Sequence, residues 1–250
     1  MKERFENRIA VITGGGSGIG FAIAKAFVKN NILSVIVGRN GTRLKLACEM
    51  LGELSDYVVC DLSVLEELPG VVSRIKEKYG RIDILVNNAG VHFKKAIVDV
   101  TDIDYQKLIL TNQTAMFSLT REVAHVMQKQ REGVVLNISS MASQYGIPNI
   151  IAYTASKSAI EGMTRGMAVE LAQYGIRVNC LAPGFIKTNM STTALDKDPE
   201  RKKKVLSRTP LGRLGKPEEV AEAAFFLVSP SSSFITGVVL PVDGGNSIGF

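Results

Sequence analysis

The amino-acid sequence predicts an α/β chain: one doubly wound, seven-stranded parallel sheet with helices on both faces. Three observations carry that expectation. Short β-branched runs alternate with longer stretches of helical period. The runs are continuously apolar rather than alternating, as strands covered on both faces must be. The first run ends in a cluster of glycines that opens directly into an amphipathic helix.

RIAVIT (8–13) is the first strand, and GFAIAKAFVKN (20–30) places Ile23, Ala26 and Phe27 on one side of a helix. LSVIVG (33–38), TRLKLACEML (42–51), DYVVCD (56–61), VLEELPGVVSRIKEKYG (64–80) and IDILVNN (82–88) continue the βαβ rhythm through a fourth strand. VVLNIS (134–139), RVNCLA (177–182) and GVVLPV (237–242) supply three more. Crossovers between parallel strands are right-handed, so the simplest sheet order is 3-2-1-4-5-6-7, with ligands gathered at the carboxyl ends of the strands. No linker or repeat divides the chain, so residues 1–250 are expected to form a single domain. The stretch 186–213 breaks the rhythm, is polar, and carries Pro199 and Pro210. A substrate lid is expected there.

With 46% hydrophobic and 22% charged residues, the composition is that of a folded globular protein. MKERFENRIAVITGG has no charged-then-apolar leader, and no apolar run reaches the roughly 20 residues of a membrane-spanning helix. A cytoplasmic location without membrane association is therefore expected. Cys48, Cys60 and Cys180 are odd in number and lack histidines at ligand spacing, so they read as reduced, buried thiols, and no metal is expected. The net charge of +6 is mostly dispersed among acids, which fits an anionic cofactor better than nucleic acid. The one dense cluster, Arg201 to Lys204, reads as a solvated face or as a contact for an acidic substrate.

Thr13, Gly14, Gly15, Gly16, Ser17, Gly18, Ile19 and Gly20 form a strand-to-helix turn. Glycines let the backbone approach a pyrophosphate, and the helix N-terminus offers free N–H groups and a positive dipole end. Dinucleotide binding is the expectation, although the spacing is G-x-x-x-G-x-G rather than G-x-G-x-x-G. At the end of the second strand, where an acid normally holds the ribose hydroxyls of NAD, the sequence reads Gly38, Arg39, Asn40. Arg39 offers a planar fork of donors to a 2′-phosphate, so NADP(H) is favoured over NAD(H).

Tyr153 and Lys157 lie four apart in a helical stretch, so both side chains project from one face. A free tyrosine ionises at about 10, and an adjacent ammonium stabilises its phenolate enough for acid/base work. Ser140 closes the strand VVLNIS, where a doubly wound sheet presents its ligands.

TGGGSGIG (13–20), NNAG (87–90), Ser140 with YTASK (153–157), and PGFIKT (183–188) resemble, in order and spacing, the motifs of the short-chain dehydrogenase/reductase family from Arg8 to Gly245. That resemblance implies a Rossmann architecture and reversible hydride transfer between NADP(H) and a carbonyl or secondary alcohol. It implies Tyr153 as proton donor, Lys157 as its electrostatic partner and ribose ligand, and Ser140 as the group polarising the carbonyl. Asn112 in LTNQTAMF would order a water for proton relay. Asp61 and Leu62 would flank the adenine, and Asn88, Ala89 and Gly90 would support the adenosine. Pro183, Gly184, Ile186 and Thr188 would meet the nicotinamide side.

Within the family the chain resembles 3-oxoacyl-acyl-carrier-protein reductases and gluconate-type sugar-acid dehydrogenases. The carrier-protein reductases carry two basic residues for their acidic partner; Arg131 stands at one such place, but Tyr174 stands at the other. A small polar ketone or sugar acid is therefore placed ahead. A non-catalytic NADP(H)-binding redox sensor is the alternative of another class, and the retained tyrosine and lysine argue against it. The resemblance also implies a homotetramer paired through the helices of Asn112 and Tyr153, with the apolar tail PVDGGNSIGF docked on a neighbour.

Overall fold

All seven expected strands form. The computed structural model describes residues 8–188 and 198–249. β1 (Arg8–Thr13), β2 (Ile32–Gly38), β3 (Ser55–Val59), β4 (Ile84–Asn87), β5 (Gly133–Ile138), β6 (Ile176–Pro183) and β7 (Val239–Val242) make one sheet in the order β3-β2-β1-β4-β5-β6-β7. Every pairing is parallel, with Ile12 set against both Ile36 and Val86. Strand order therefore reverses between β1 and β4, and that switch point is where the crevice opens.

Alternate residues of each strand supply opposite cores, which is why the runs are apolar throughout. Ala10, Ile12, Ile36 and Val86 pack with α1 (Gly18–Lys29), α2 (Gly41–Leu51) and a late helix, Pro217–Val228. Ile9, Val11, Val35 and Leu85 face the other way, toward α3 (Leu68–Tyr79), α5 (Ala115–Gln130) and α6 (Ile151–Leu171). Phe27, fully buried on α1, meets Phe225 of the late helix edge-on at 6.5 Å. Truncating such a ring to alanine costs about 3–5 kcal/mol.

The amino edge of the sheet is pinned electrostatically. Asp83, fully buried just ahead of β4, accepts a hydrogen bond from Ile9 N at 2.8 Å and a bidentate grip from Arg81. Its carboxylate thus joins β1 to β4 at the end opposite the crevice.

Three local features depart from the sequence reading. Between α4 (Asp102–Ile109) and α5 the chain makes a π-helical turn, Leu110–Thr114, where ordinary helix was expected. The expected lid contains a regular helix, α7 (Pro199–Arg208), begun by Asp198, which accepts a hydrogen bond from Arg201 N. Residues 189–197 of that expected lid lie outside the described residues. The late helix Pro217–Val228 is therefore α8. Third, Cys48 is only half-buried, at the margin of the core beside α1 and α2, whereas Cys60 and Cys180 are buried as expected; all three are free thiols.

The C-terminal stretch folds back on its own chain. Buried Asn246 donates to Thr209 Oγ1 at 2.8 Å and accepts from the Tyr145 hydroxyl, while Arg208 stacks over the Tyr145 ring at 4.1 Å. One carboxamide thereby ties the end of α7 to the loop that follows β5. Among the described residues no helix is long and apolar enough to cross a membrane.

Candidate active site

The glycine turn is built from β1 outward. Thr13 Oγ1 accepts hydrogen bonds from Asn88 N and Ala89 N at 2.9 and 3.0 Å, and Asn88 Nδ2 donates to Thr13 O at 2.9 Å. The NNAG segment after β4 is thus stapled to the turn after β1 across the switch point. Gly14 sits at φ +67°, in the left-handed region that favours glycine, and donates to Val37 O at 2.7 Å. A Cβ on Gly20 would lie 2.5 Å from Asn88 Nδ2 and 2.6 Å from Gly14 O. These two glycines serve the close packing of helix on turn.

Ser17 holds the N-cap position of α1 without capping it through its side chain, so the first-turn N–H groups of Gly18, Ile19 and Gly20 remain available to an anion. Thr188, beyond β6, reaches back over this turn, its side chain 3.6 Å from where a Gly18 Cβ would sit. Pro183 closes β6, and Gly184 packs so tightly on Asp243 that a Cβ there would come within 2.6 Å. Ile186 is buried beneath the same loop.

Arg39 stands at the carboxyl end of β2 with its guanidinium 3.9 Å from Asp61, beyond β3. Ser63 hydrogen-bonds Asp61 through its hydroxyl and backbone N–H, and these bonds, with Arg39 adding a smaller pull, hold the Asp61 carboxyl below its usual range. Leu62 beside it is buried. Arg43, one turn into α2, lays its alkyl stem along Gly16, with Cγ 3.4 Å from a Cβ built there. The sequence reading did not single out Arg43, although its spacing of four from Arg39 in GRNGTR is visible. The uncapped helix end, the glycine cradle and this basic rim together fit a phosphorylated dinucleotide.

At the other side of the crevice, Ser140 follows β5 and Tyr153 rises from α6, their hydroxyls near enough that Ser140 pulls the phenol's pKa down. Burial pushes the Tyr153 hydroxyl above its ordinary range, and only the Ser140 hydrogen bond works against it. The ammonium of Lys157 stands 5.7 Å from the centre of the tyrosine ring and donates to Ile138 O at 2.8 Å. Burial outweighs any pull from it, so the free site holds a protonated tyrosine, as a proton donor requires. Burial itself lowers Lys157 to about 8.

Asn112 owes its inward position to the π-turn. Its Oδ1 accepts from Val91 N at 2.7 Å and its Nδ2 donates to Val91 O at 2.9 Å, which fixes the residue after NNAG. A Cβ on Gly90 would lie 3.4 Å from Asn112 Oδ1 and 3.7 Å from Lys157 Nζ, so the three meet at one point. His92, another residue the sequence reading passed over, packs edge-on against Tyr153 with centroids 4.7 Å apart. Burial, then the positive charges of Arg201 on α7 and Lys94, keep its imidazole neutral below the usual range.

Comparisons with known proteins find relatives over nearly the whole chain. A family model described as enoyl-(acyl carrier protein) reductase matches residues 14–247. The chain is 41% identical over 247 residues to a 3-oxoacyl-[acyl-carrier-protein] reductase of Thermotoga maritima, covering 97% of this chain and 98% of the relative. It is 38% identical over 238 residues to a 5-keto-D-gluconate 5-reductase of Escherichia coli, covering 94% and 93%. The crystal structure of an NAD⁺-bound xylitol dehydrogenase superposes with a TM-score of 0.93 at 30% identity, covering 97% of this chain and 100% of that one.

Proposed function

Since this chain belongs to the short-chain dehydrogenase/reductase family and is an oxidoreductase, we propose that it uses NADP(H) to interconvert a small polar ketone, of the keto-sugar-acid kind, and the corresponding alcohol. The observation that carries the reading is the placing of Ser140, at the end of β5, beside Tyr153 of α6, with buried Lys157 one helical turn along.

The nicotinamide cofactor, when bound, supplies or accepts the hydride. Tyr153 donates its proton to the substrate carbonyl oxygen, a role suited to a phenol that burial keeps protonated. Ser140 gives that oxygen a second hydrogen bond, worth roughly 2.7–4 kcal/mol if comparable to an oxyanion donor. Lys157, charged below about 8, would hold the nicotinamide ribose and restore the tyrosine proton. Asn112 keeps a second Oδ1 lone pair for the relay water once Val91 has taken the first.

Arg39 and Arg43 would hold the 2′-phosphate, with the first-turn N–H groups of α1 on the pyrophosphate and Asp61 and Leu62 beside the adenine. Asn88, Ala89 and Gly90 would support the adenosine, and Pro183, Gly184, Ile186 and Thr188 the nicotinamide amide. The substrate class is supported by the positive charge that Arg201 and Lys94 bring toward His92, over the proton donor. An acidic substrate group would find its countercharge there. The 41% identity to a carrier-protein reductase favours a second reading, reduction of a 3-oxoacyl thioester. Against it, Tyr174 fills one of the two basic places and packs its ring under Arg131, 5.7 Å away. Homotetramer formation is proposed through α5 and α6, which leave Phe117 and Val169 exposed.

The test is NADPH oxidation against 2-keto and 5-keto sugar acids, acetoacetyl thioesters and simple diketones, with NADH and Tyr153→Phe as controls. Turnover of a sugar acid with NADPH, lost in Tyr153→Phe, supports the leading reading; preference for the thioester supports the second. Tight NADPH binding without turnover of any carbonyl refutes both and leaves a redox sensor.

A further inference from the structure

Glu161 lies on α6 one turn beyond Lys157 and two beyond Tyr153, on the face turned to the end of β5. Its Oε1 accepts hydrogen bonds from Ser139 Oγ at 2.9 Å and, at closer range, from Ser143 Oγ. Those serines bracket Ser140. Ser143 also approaches Ser140 O, through its hydroxyl at 2.6 Å and its backbone N at 3.0 Å, closing a one-turn 3₁₀ segment, Met141–Ser143. Ser139 Oγ lies 3.1 Å from Lys157 O, so the same knot reaches the lysine's own turn of α6.

We propose that Glu161 is a positioning residue: by gripping Ser139 and Ser143 with one carboxylate oxygen, it fixes the turn that aims the Ser140 hydroxyl at Tyr153 and the substrate oxygen. The physical case is one of constraint. Ser140 stands at a strand end followed by a loop, where its aim is set by little of its own: its Oγ accepts from Ala142 N at 3.2 Å, a bond internal to the same turn. A turn of this kind holds a reactive geometry only when something outside it is rigid, and a helix is rigid where a loop is not. Hydrogen bonds to a carboxylate are about twice as strong as neutral ones, so a glutamate is a better anchor for two hydroxyls than an amide of the same shape. Glu161 touches neither the cofactor turn nor Tyr153, so its effect has to pass through Ser140. This rests on Ser140 acting as read above.

The test combines Glu161→Gln and Glu161→Ala with Ser140→Ala, using the ketone turned over in the panel above. Glu161→Gln preserves size and helix propensity, so it remains informative even where the alanine variant fails to fold. Expected is a loss in kcat of roughly tenfold, the size of a weakened charged hydrogen bond, with the dissociation constant for NADPH unchanged. In the Ser140→Ala background the same change should cost little more, because the group it positions is gone. Amide hydrogen exchange in the enzyme without substrate should rise at 140–143 and stay unchanged along α6. Unchanged kcat with unchanged exchange would overturn the proposal, as would an equal fold-loss in both backgrounds. Retained activity in Ser140→Ala would instead sink the functional reading itself, and with it this consequence.

Discussion

Arg39→Ala separates cofactor recognition from folding, because the structure assigns the two effects very different sizes. In the free protein the guanidinium sits 3.9 Å from Asp61, with the two side chains 67% and 41% exposed. A pair so open to solvent contributes about 0–1 kcal/mol to stability, so Tm should fall by no more than about 2–4 °C. A hydrogen-bonded contact between arginine and phosphate is worth about 1.5–3 kcal/mol, which corresponds to roughly 10- to 150-fold in affinity. The upper part of that range is favoured, since removing Arg39 also uncovers the ionised Asp61 carboxylate, held by Ser63, beside an incoming phosphate. Fluorescence titration with NADPH and NADH gives the answer directly: the NADPH dissociation constant should rise by at least an order of magnitude and that for NADH should hardly move. The loss should shrink at high salt, where charge contacts are screened. If both cofactors weaken by the same factor, or if the unaltered protein already binds NADH as tightly as NADPH, the assignment of Arg39 to a 2′-phosphate is wrong.

Reduction should slow as pH rises through about 8, because buried Lys157 loses its proton there. Its folded value lies below its ordinary 10.5, so between the two the unfolded chain binds more protons and this group's contribution to stability rises with pH; a pH–rate profile falling alongside a retained urea midpoint is the expected pair. Gly20→Ala forces a Cβ against Asn88 Nδ2 and Gly14 O, so NADPH affinity should drop roughly tenfold or more, whereas Gly70→Ala, on α3 with nothing within 4 Å, should stabilise by about 0.5–1 kcal/mol. Both can be read from NADPH titration and thermal melts, and normal binding by Gly20→Ala would contradict the packing described. Asp83→Ala leaves Ile9 N unpaired in the core and half-exposed Arg81 with Glu132 alone, 3.8 Å away, and should cost about 1–3 kcal/mol, a fall in melting temperature on the order of 5 °C by calorimetry, with kcat at 25 °C intact.

The strands were legible because a sheet covered on both faces demands unbroken apolar runs. The glycine turn, Ser140, Tyr153 and Lys157 were legible because strand ends and helical spacing place them without knowledge of the rest. What stayed hidden depends on contacts distant in sequence. Glu161 reads as an ordinary surface glutamate until β5 and α6 are packed, and His92 as a loop residue until it meets Tyr153. The π-turn at Asn112 has no compositional signature, and the clamp it permits on Val91 joins residues distant in sequence. Spacing of four guarantees a shared face but not how each group is held: Lys157 gives its ammonium to Ile138 O, and desolvation raises the Tyr153 hydroxyl. The C-terminal stretch reads only as apolar in sequence, and that its buried Asn246 secures Tyr145 and the end of α7 emerges from the fold.

With all seven strands parallel, the turns that carry the chemistry leave the sheet at one rim, while the Asp83 cluster that clamps β1 to β4 lies at the opposite rim. Mutational tolerance therefore divides along the strand axis. Diversity introduced at 91–95 and 141–149 and on α7 reshapes the pocket without touching the clamp, so selectivity and thermal robustness can be evolved in separate rounds and then combined with near-additive gains.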